Sequence, residues 1–136
     1  MTRGALACAL CAALGACRGE AEAREREELG LISHRVDELR KAPNSAKRPA
    51  LEQLRREPCS AVEACALQSQ CVAAYERHLG ATDAVARVAK EAPDGGASRA
   101  ALTATLRNAE RDLKESVGLT ASCAEKQGEL VRAHRL

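Results

Sequence analysis

Four cysteines in the body of the chain, Cys59, Cys65, Cys71 and Cys123, are the residues whose types best suit chemistry, with His78 close behind them. Thiolates bind soft metals, dithiols exchange electrons, and oxidised pairs staple a fold. Zinc sites usually space paired cysteines by two to four residues. Here five residues separate Cys59 from Cys65, five separate Cys65 from Cys71, and six separate Cys71 from His78. Cys71 and His78 share a helix face but stand roughly 10 Å apart along the axis, too far for one ion. The Cys-x-x-Cys spacing of redox dithiols is absent. Disulfides are the expectation, and Cys-dependent copper or zinc handling is the alternative.

Other groups carry weaker signals. His34 with Asp37, and Tyr75 with His78, sit three residues apart, where side chains meet on a helix. Such pairs are ordinary on solvated helix faces. Glu27-Glu28 belongs to a run of mixed charge, Arg24-Glu25-Arg26-Glu27-Glu28. Gly95-Gly96 lacks the Lys-Ser/Thr that follows a phosphate-binding loop. No nucleophile is set on a sharp turn. Neither catalysis nor a cofactor is expected, and no resident metal site.

The amino terminus gives the chain an address. Met1-Thr2-Arg3 is a short basic start, Ala5 to Leu14 is an apolar run, and Leu14-Gly15-Ala16-Cys17 closes it. Basic end, apolar run and small residues are the parts of a secretory signal. About ten apolar residues are too few to span a bilayer, which takes roughly 20. Leu14-Gly15-Ala16-Cys17 resembles the lipobox of bacterial lipoproteins. The resemblance covers the signal segment alone, with Gly15 where Ala or Ser is commoner. It implies cleavage before Cys17, a diacylglycerol thioether on its sulfur, and acylation of the new amino terminus. Arg18, where Asp would favour inner-membrane retention, leans the expectation towards the outer membrane, facing the periplasm.

Export places the remaining cysteines in an oxidising compartment, where an even number pairs. Cys8 and Cys11 would leave with the signal. Cys65 and Cys71 on one helix would be about 9 Å apart along its axis and point about 120° apart, beyond the roughly 7 Å a bridge allows between Cα atoms. That disfavours their pairing and, with it, Cys59–Cys123. Cys59 can fold back to Cys65, leaving Cys71 for Cys123; the rival is Cys65–Cys123 with Cys59–Cys71. A hairpin turning around residue 95 sets Cys123 opposite about residue 67, between the two candidates.

Composition bounds the body. Residues 17–136 suit one domain. The 21 basic and 19 acidic residues nearly balance, so nucleic-acid binding is not expected. There is no Trp, no Phe and one Tyr, so Ala, Leu and Val must build the core. Abundant Ala, Glu, Arg, Leu and Lys favour helix. The expected fold is all-α: a three- to four-helix up-down bundle with a long αα-hairpin clamped by disulfides.

The elements follow from periodicity. Residues 1–16 read as signal, 17–28 as a charged tether, and 29–136 as the bundle. Leu29, Ile32, Val36 and Leu39 form an amphipathic stripe ending at Ala42-Pro43. Asn44 to Lys47 read as a turn, with Pro49 opening a short helix that carries Leu51 and Leu54. Ser60 and Glu63 form a capping-box pattern before a helix with Val62, Cys65, Val72, Tyr75 and Leu79 inward. Gly80 is a candidate stop and Thr82 a candidate cap. Ala92-Pro93-Asp94-Gly95-Gly96 is a loop. From Ser98 to His134 a second long helix presents Leu102, Leu106, Ala109, Leu113, Val117, Cys123 and Leu130, with Gly118 as a kink.

These features point to a non-enzymatic, membrane-anchored envelope lipoprotein that binds or positions a protein partner. In class and size it is similar to the helical lipoprotein pilotins of secretion systems. A purely structural lipoprotein, oligomerising through the Leu29–Leu39 stripe, is a further alternative.

Overall fold

The computed structural model describes residues 6–93 and 98–136, and the side chains of the first helix from Gly19 onward. Residues 1–5 of the expected signal segment (1–16), the side chains of its remainder and that of Cys17 lie outside that description, as do Asp94, Gly95 and Gly96 of the expected loop. The described residues form four helices: α1 (Leu6–Lys41), α2 (Asn44–Arg56), α3 (Val62–Glu91) and α4 (Arg99–His134).

α1 runs through residues 17–28 without interruption, so the stretch expected to start as a tether is helical. Alternating Arg and Glu favour helix there. The stripe is as expected: Leu29, Ile32, Val36 and Leu39 are all buried. α2 starts at Asn44, earlier than expected, and Pro49 is its sixth residue. The ring costs the bond to the Ser45 carbonyl, but Ser45 and Pro49 are both exposed, so water can serve that carbonyl.

α3 and α4 make the αα-hairpin. α3 passes through Gly80 to Glu91; Gly80 does not stop it, and Thr82 donates back to the Leu79 carbonyl at 2.9 Å instead of capping a new helix. α4 passes through Gly118 as well, and Ser98 caps its start by accepting from the Ala101 amide at 3.2 Å.

The hairpin seam keeps Tyr75, Leu79, Ala109, Cys123 and Leu130 of the expected faces and departs from them at Val62, Leu106 and Val117. On α3, Tyr75 and Leu79 are buried as expected, together with Ala64, Leu67, Cys71, Ala74 and Ala81, while Val62 is 82% exposed. On α4, Ala109, Ser116, Cys123 and Leu130 fall at seven-residue intervals and are buried, while Val117 is 68% exposed. Steps of three and four along both helices are the pattern of a coiled-coil seam. Small residues carry it, which lets the helices approach closely. Cys71 bridges Cys123 and His78 meets Ser116, and both pairs share one antiparallel register. Its centre is position 97, midway between 71 and 123, two residues beyond the expected turn.

α1 and α2 pack on the half of the hairpin nearest the α3 start. The main core joins Leu29, Ile32, Leu39, Leu51, Leu54 and Leu67 with Cys71 and Cys123. Val88 and Ala109 are buried but stand outside that cluster. The last contact from α2 that the structure gives on this side is Arg48 with Asp83. Beyond it the hairpin continues as two helices.

One buried amide fastens α4 to α1. Gln127 is 5% exposed, and its Nε2 donates to the Ser33 carbonyl at 3.0 Å, to Ser33 Oγ at 2.9 Å and to Asp37 Oδ1 at 2.9 Å. Removing the amide breaks these contacts at a largely buried site, which costs about 1–3 kcal/mol. Gln127→Ala should therefore lower the unfolding free energy by about 2 kcal/mol in urea titration. A loss within the scatter of surface substitutions would contradict this role.

Candidate functional site

The cysteines are placed first by the helix starts. Cys59 and Cys65 form a bridge across the α2–α3 connection, with Cα atoms 5.5 Å apart. Cys71 and Cys123 form the second, with Cα atoms 5.1 Å apart. This is the preferred connectivity. All four sulfurs are engaged in bridges in this structure, so none of them is a free thiolate here.

The expected titratable pairs separate. His34 lies 3.4 Å from Glu38, while Asp37 accepts from Arg40 and Gln127. Tyr75 is buried in the core, with the Lys47 ammonium 5.8 Å from its ring centre, and burial pushes its phenol above the ordinary range. His78 turns to Ser116, with Nδ1 and Oγ 3.2 Å apart. Because Ser116 Oγ donates to the Leu113 carbonyl at 2.7 Å, it accepts from His78, which fixes the proton on Nδ1.

Helix ends are closed by other helices. A helix leaves its first amides and last carbonyls without internal partners. Lys47 of α2 donates to the Leu39 and Arg40 carbonyls at the end of α1, both at 3.1 Å. Gln68 of α3 donates to the Leu54 and Glu57 carbonyls at the end of α2, at 2.7 and 2.6 Å. Arg26 of α1 donates to the Arg135 carbonyl after α4, at 2.7 Å.

The start of α3 is capped in the same way. The expected capping box does not form, because Ala61 is the cap position and makes no side-chain cap bond. The Glu28 carboxylate of α1 accepts from the Ser60 and Ala61 amides, each at 2.7 Å, and from the Ser60 hydroxyl. A carboxylate at a helix start also meets the positive end of the macrodipole. The Ala61 amide, then Ser60, hold the Glu28 carboxyl below its usual range. A depressed folded value means this stabilisation is complete above the unfolded carboxylate range and is lost as pH falls through the folded value. Glu28→Gln should therefore lower Tm at neutral pH, and the gap from wild type should shrink on acidification. A gap independent of pH would contradict the assignment.

At this same end of the bundle, α1, α3 and α4 bring Glu25, Glu63 and His134 together, one ligating atom of each lying within 4.8 Å of the others. His134 Nε2 is 2.7 Å from Glu63 Oε2. An open cleft of about 530 Å³ adjoins them, lined by Gly19, Glu22, Ala23, Glu25, Arg26 and His134. The sequence reading did not single out this group. The signal was present in part: Glu25 extends the Leu29, Ile32, Val36 spacing backwards, and His134 extends the Cys123, Gln127, Leu130 spacing forwards. Both put an ionisable residue where the stripe elsewhere is buried.

No family model, no curated protein and no solved structure matches this chain.

Proposed function

We propose that this chain is a non-enzymatic lipoprotein of the bacterial envelope, anchored through Cys17, whose helical bundle holds or positions a protein partner. Two ends of the molecule support the reading. α1 carries Leu14-Gly15-Ala16-Cys17 at the end where α3 starts and α4 finishes. At the other end the two-helix tip lies beyond α1 and α2, with Val85 and Leu106 exposed. The observation that carries the proposal is this opposition of a lipobox-like anchor and a far end of α3 and α4 where Val85 and Leu106 are exposed. α3 alone, at 30 residues, is roughly 45 Å long. A lipid at one end would hold the tip well away from the headgroups, within reach of another envelope protein. An amphipathic helix is the partner chemistry such an edge accepts.

The purely structural alternative through the Leu29–Leu39 stripe loses its surface, because that stripe is buried in the chain's own core. The test is photo-crosslinking in the native envelope from Leu106, with Glu52 on α2 as the control position. One adduct of discrete mass from Leu106 alone, together with loss of an assembled envelope complex on gene deletion, is the expected result. No adduct, with every envelope complex intact after deletion, would overturn the reading.

A further inference from the structure

We propose that Glu25, Glu63 and His134 form a binding site for a first-row divalent cation, zinc foremost, which ties the starts of the α1 and α3 bundle faces to the end of α4. The donor set is one imidazole nitrogen and two carboxylates, each from a different helix. Zinc takes such ligands at about 2.0–2.2 Å in a tetrahedron, so neighbouring donors sit roughly 3.4 Å apart. The three donor atoms already lie within 4.8 Å of one another. The 2.7 Å contact of His134 with Glu63 needs to open by less than 1 Å, and the Glu25 carboxylate to close in by a comparable rotation. The adjoining cleft gives the ion its path and leaves a fourth position for water.

Position in the fold singles this cluster out from ordinary surface charge. Glu25 continues the buried face of α1, four residues before fully buried Leu29, and His134 continues the seam of α4, four residues after buried Leu130. All three residues are half-buried. Leucine at either seam position would extend the core. Two carboxylates are instead held near each other, while the neighbouring Arg26 guanidinium donates to the Arg135 carbonyl. A cation relieves that like-charge approach, and the imidazole favours a borderline transition ion over calcium or magnesium, which take oxygen. On binding, the Nε2 lone pair of His134 faces the ion. Its proton shifts to Nδ1, or leaves to solvent if the ring was charged.

The test uses the full chain in detergent, stripped with chelator and with free thiols alkylated, titrated with zinc by calorimetry. One ion per chain is expected, with a rise in Tm of roughly 10 °C at about 100-fold excess over Kd. Glu25 makes no other hydrogen bond or ion pair among the described residues, so Glu25→Gln leaves the fold intact. Glu25→Gln and His134→Ala should each weaken zinc by roughly 10-fold or more, a loss at least as large as that from a supporting residue. His34→Ala, which removes the exposed His34–Glu38 pair, should change nothing. No saturable uptake, uptake indifferent to both Glu25→Gln and His134→Ala, or equal affinity for magnesium would each overturn the site.

Discussion

Replacing Cys71 and Cys123 together by alanine is expected to lower the unfolding free energy by about 4 kcal/mol. The bridge joins residues 52 apart, so cutting it releases a long loop in the unfolded chain. The Cys59–Cys65 bridge joins residues six apart, and the same chain-entropy account gives it about 2 kcal/mol. Small domains have a net stability of about 5–15 kcal/mol. This core contains one aromatic side chain and rests mainly on leucines, so the long bridge is a large share of what remains. Both sulfurs of the long bridge are fully buried in the hairpin seam, and the pair also fixes the register of α3 against α4. Urea titration of the two double variants, followed by helical circular dichroism, checks the ranking. Equal losses, or a larger loss for the short bridge, would show that the bridges act through native-state packing and not through chain entropy.

Carried behind an ordinary cleavable signal, Cys17→Ser should leave the membrane fraction entirely, while the wild type stays there through high-salt washing. Lipid burial contributes about 0.8 kcal/mol per methylene, and one chain alone anchors only marginally. The diacylglycerol and amino-terminal acyl groups that the lipobox-like segment implies exceed that threshold. Among the described residues, no helix is long and apolar enough to cross a membrane. Arg24, Glu25, Arg26 and Glu27 alternate in sign, so this stretch of α1 carries no basic run for anionic headgroups. A Cys17→Ser protein still sedimenting with membranes would shift the anchor to a partner or to another part of the chain.

Much of the architecture is legible in the sequence because it rests on local spacing. Leu29, Ile32, Val36 and Leu39 announce their buried face directly, and the even cysteines with their helical separation favour the pairing that the fold adopts. Two readings fail for opposite reasons. Val62 and Val117 are strongly apolar and draw the eye, yet the seam runs through Ala64 and Ser116, whose small size serves close packing better than hydrophobicity does. Ser60 and Glu63 satisfy a local capping rule, yet Glu28 takes the Ser60 and Ala61 amides, because α1 lies alongside the start of α3. Lys47, Gln68 and Arg26 close helix ends in the same non-local way. The Glu25, Glu63 and His134 cluster is hidden for that reason too: its members come from three helices, and only the bundle brings them together.

Non-reducing peptide mapping of the protein from its native membrane fraction tests most directly whether it is a lipid-anchored, doubly stapled helical bundle. Trypsin leaves Cys59, Cys65 and Cys71 on the single peptide 57–77, so the pairing must be assigned by fragmentation between Cys65 and Cys71. The account predicts an amino-terminal peptide that begins at Cys17 and carries acyl and diacylglyceryl mass, with bonds joining Cys59 to Cys65 and Cys71 to Cys123. An unmodified Cys17 together with free thiols at the other four positions would contradict it.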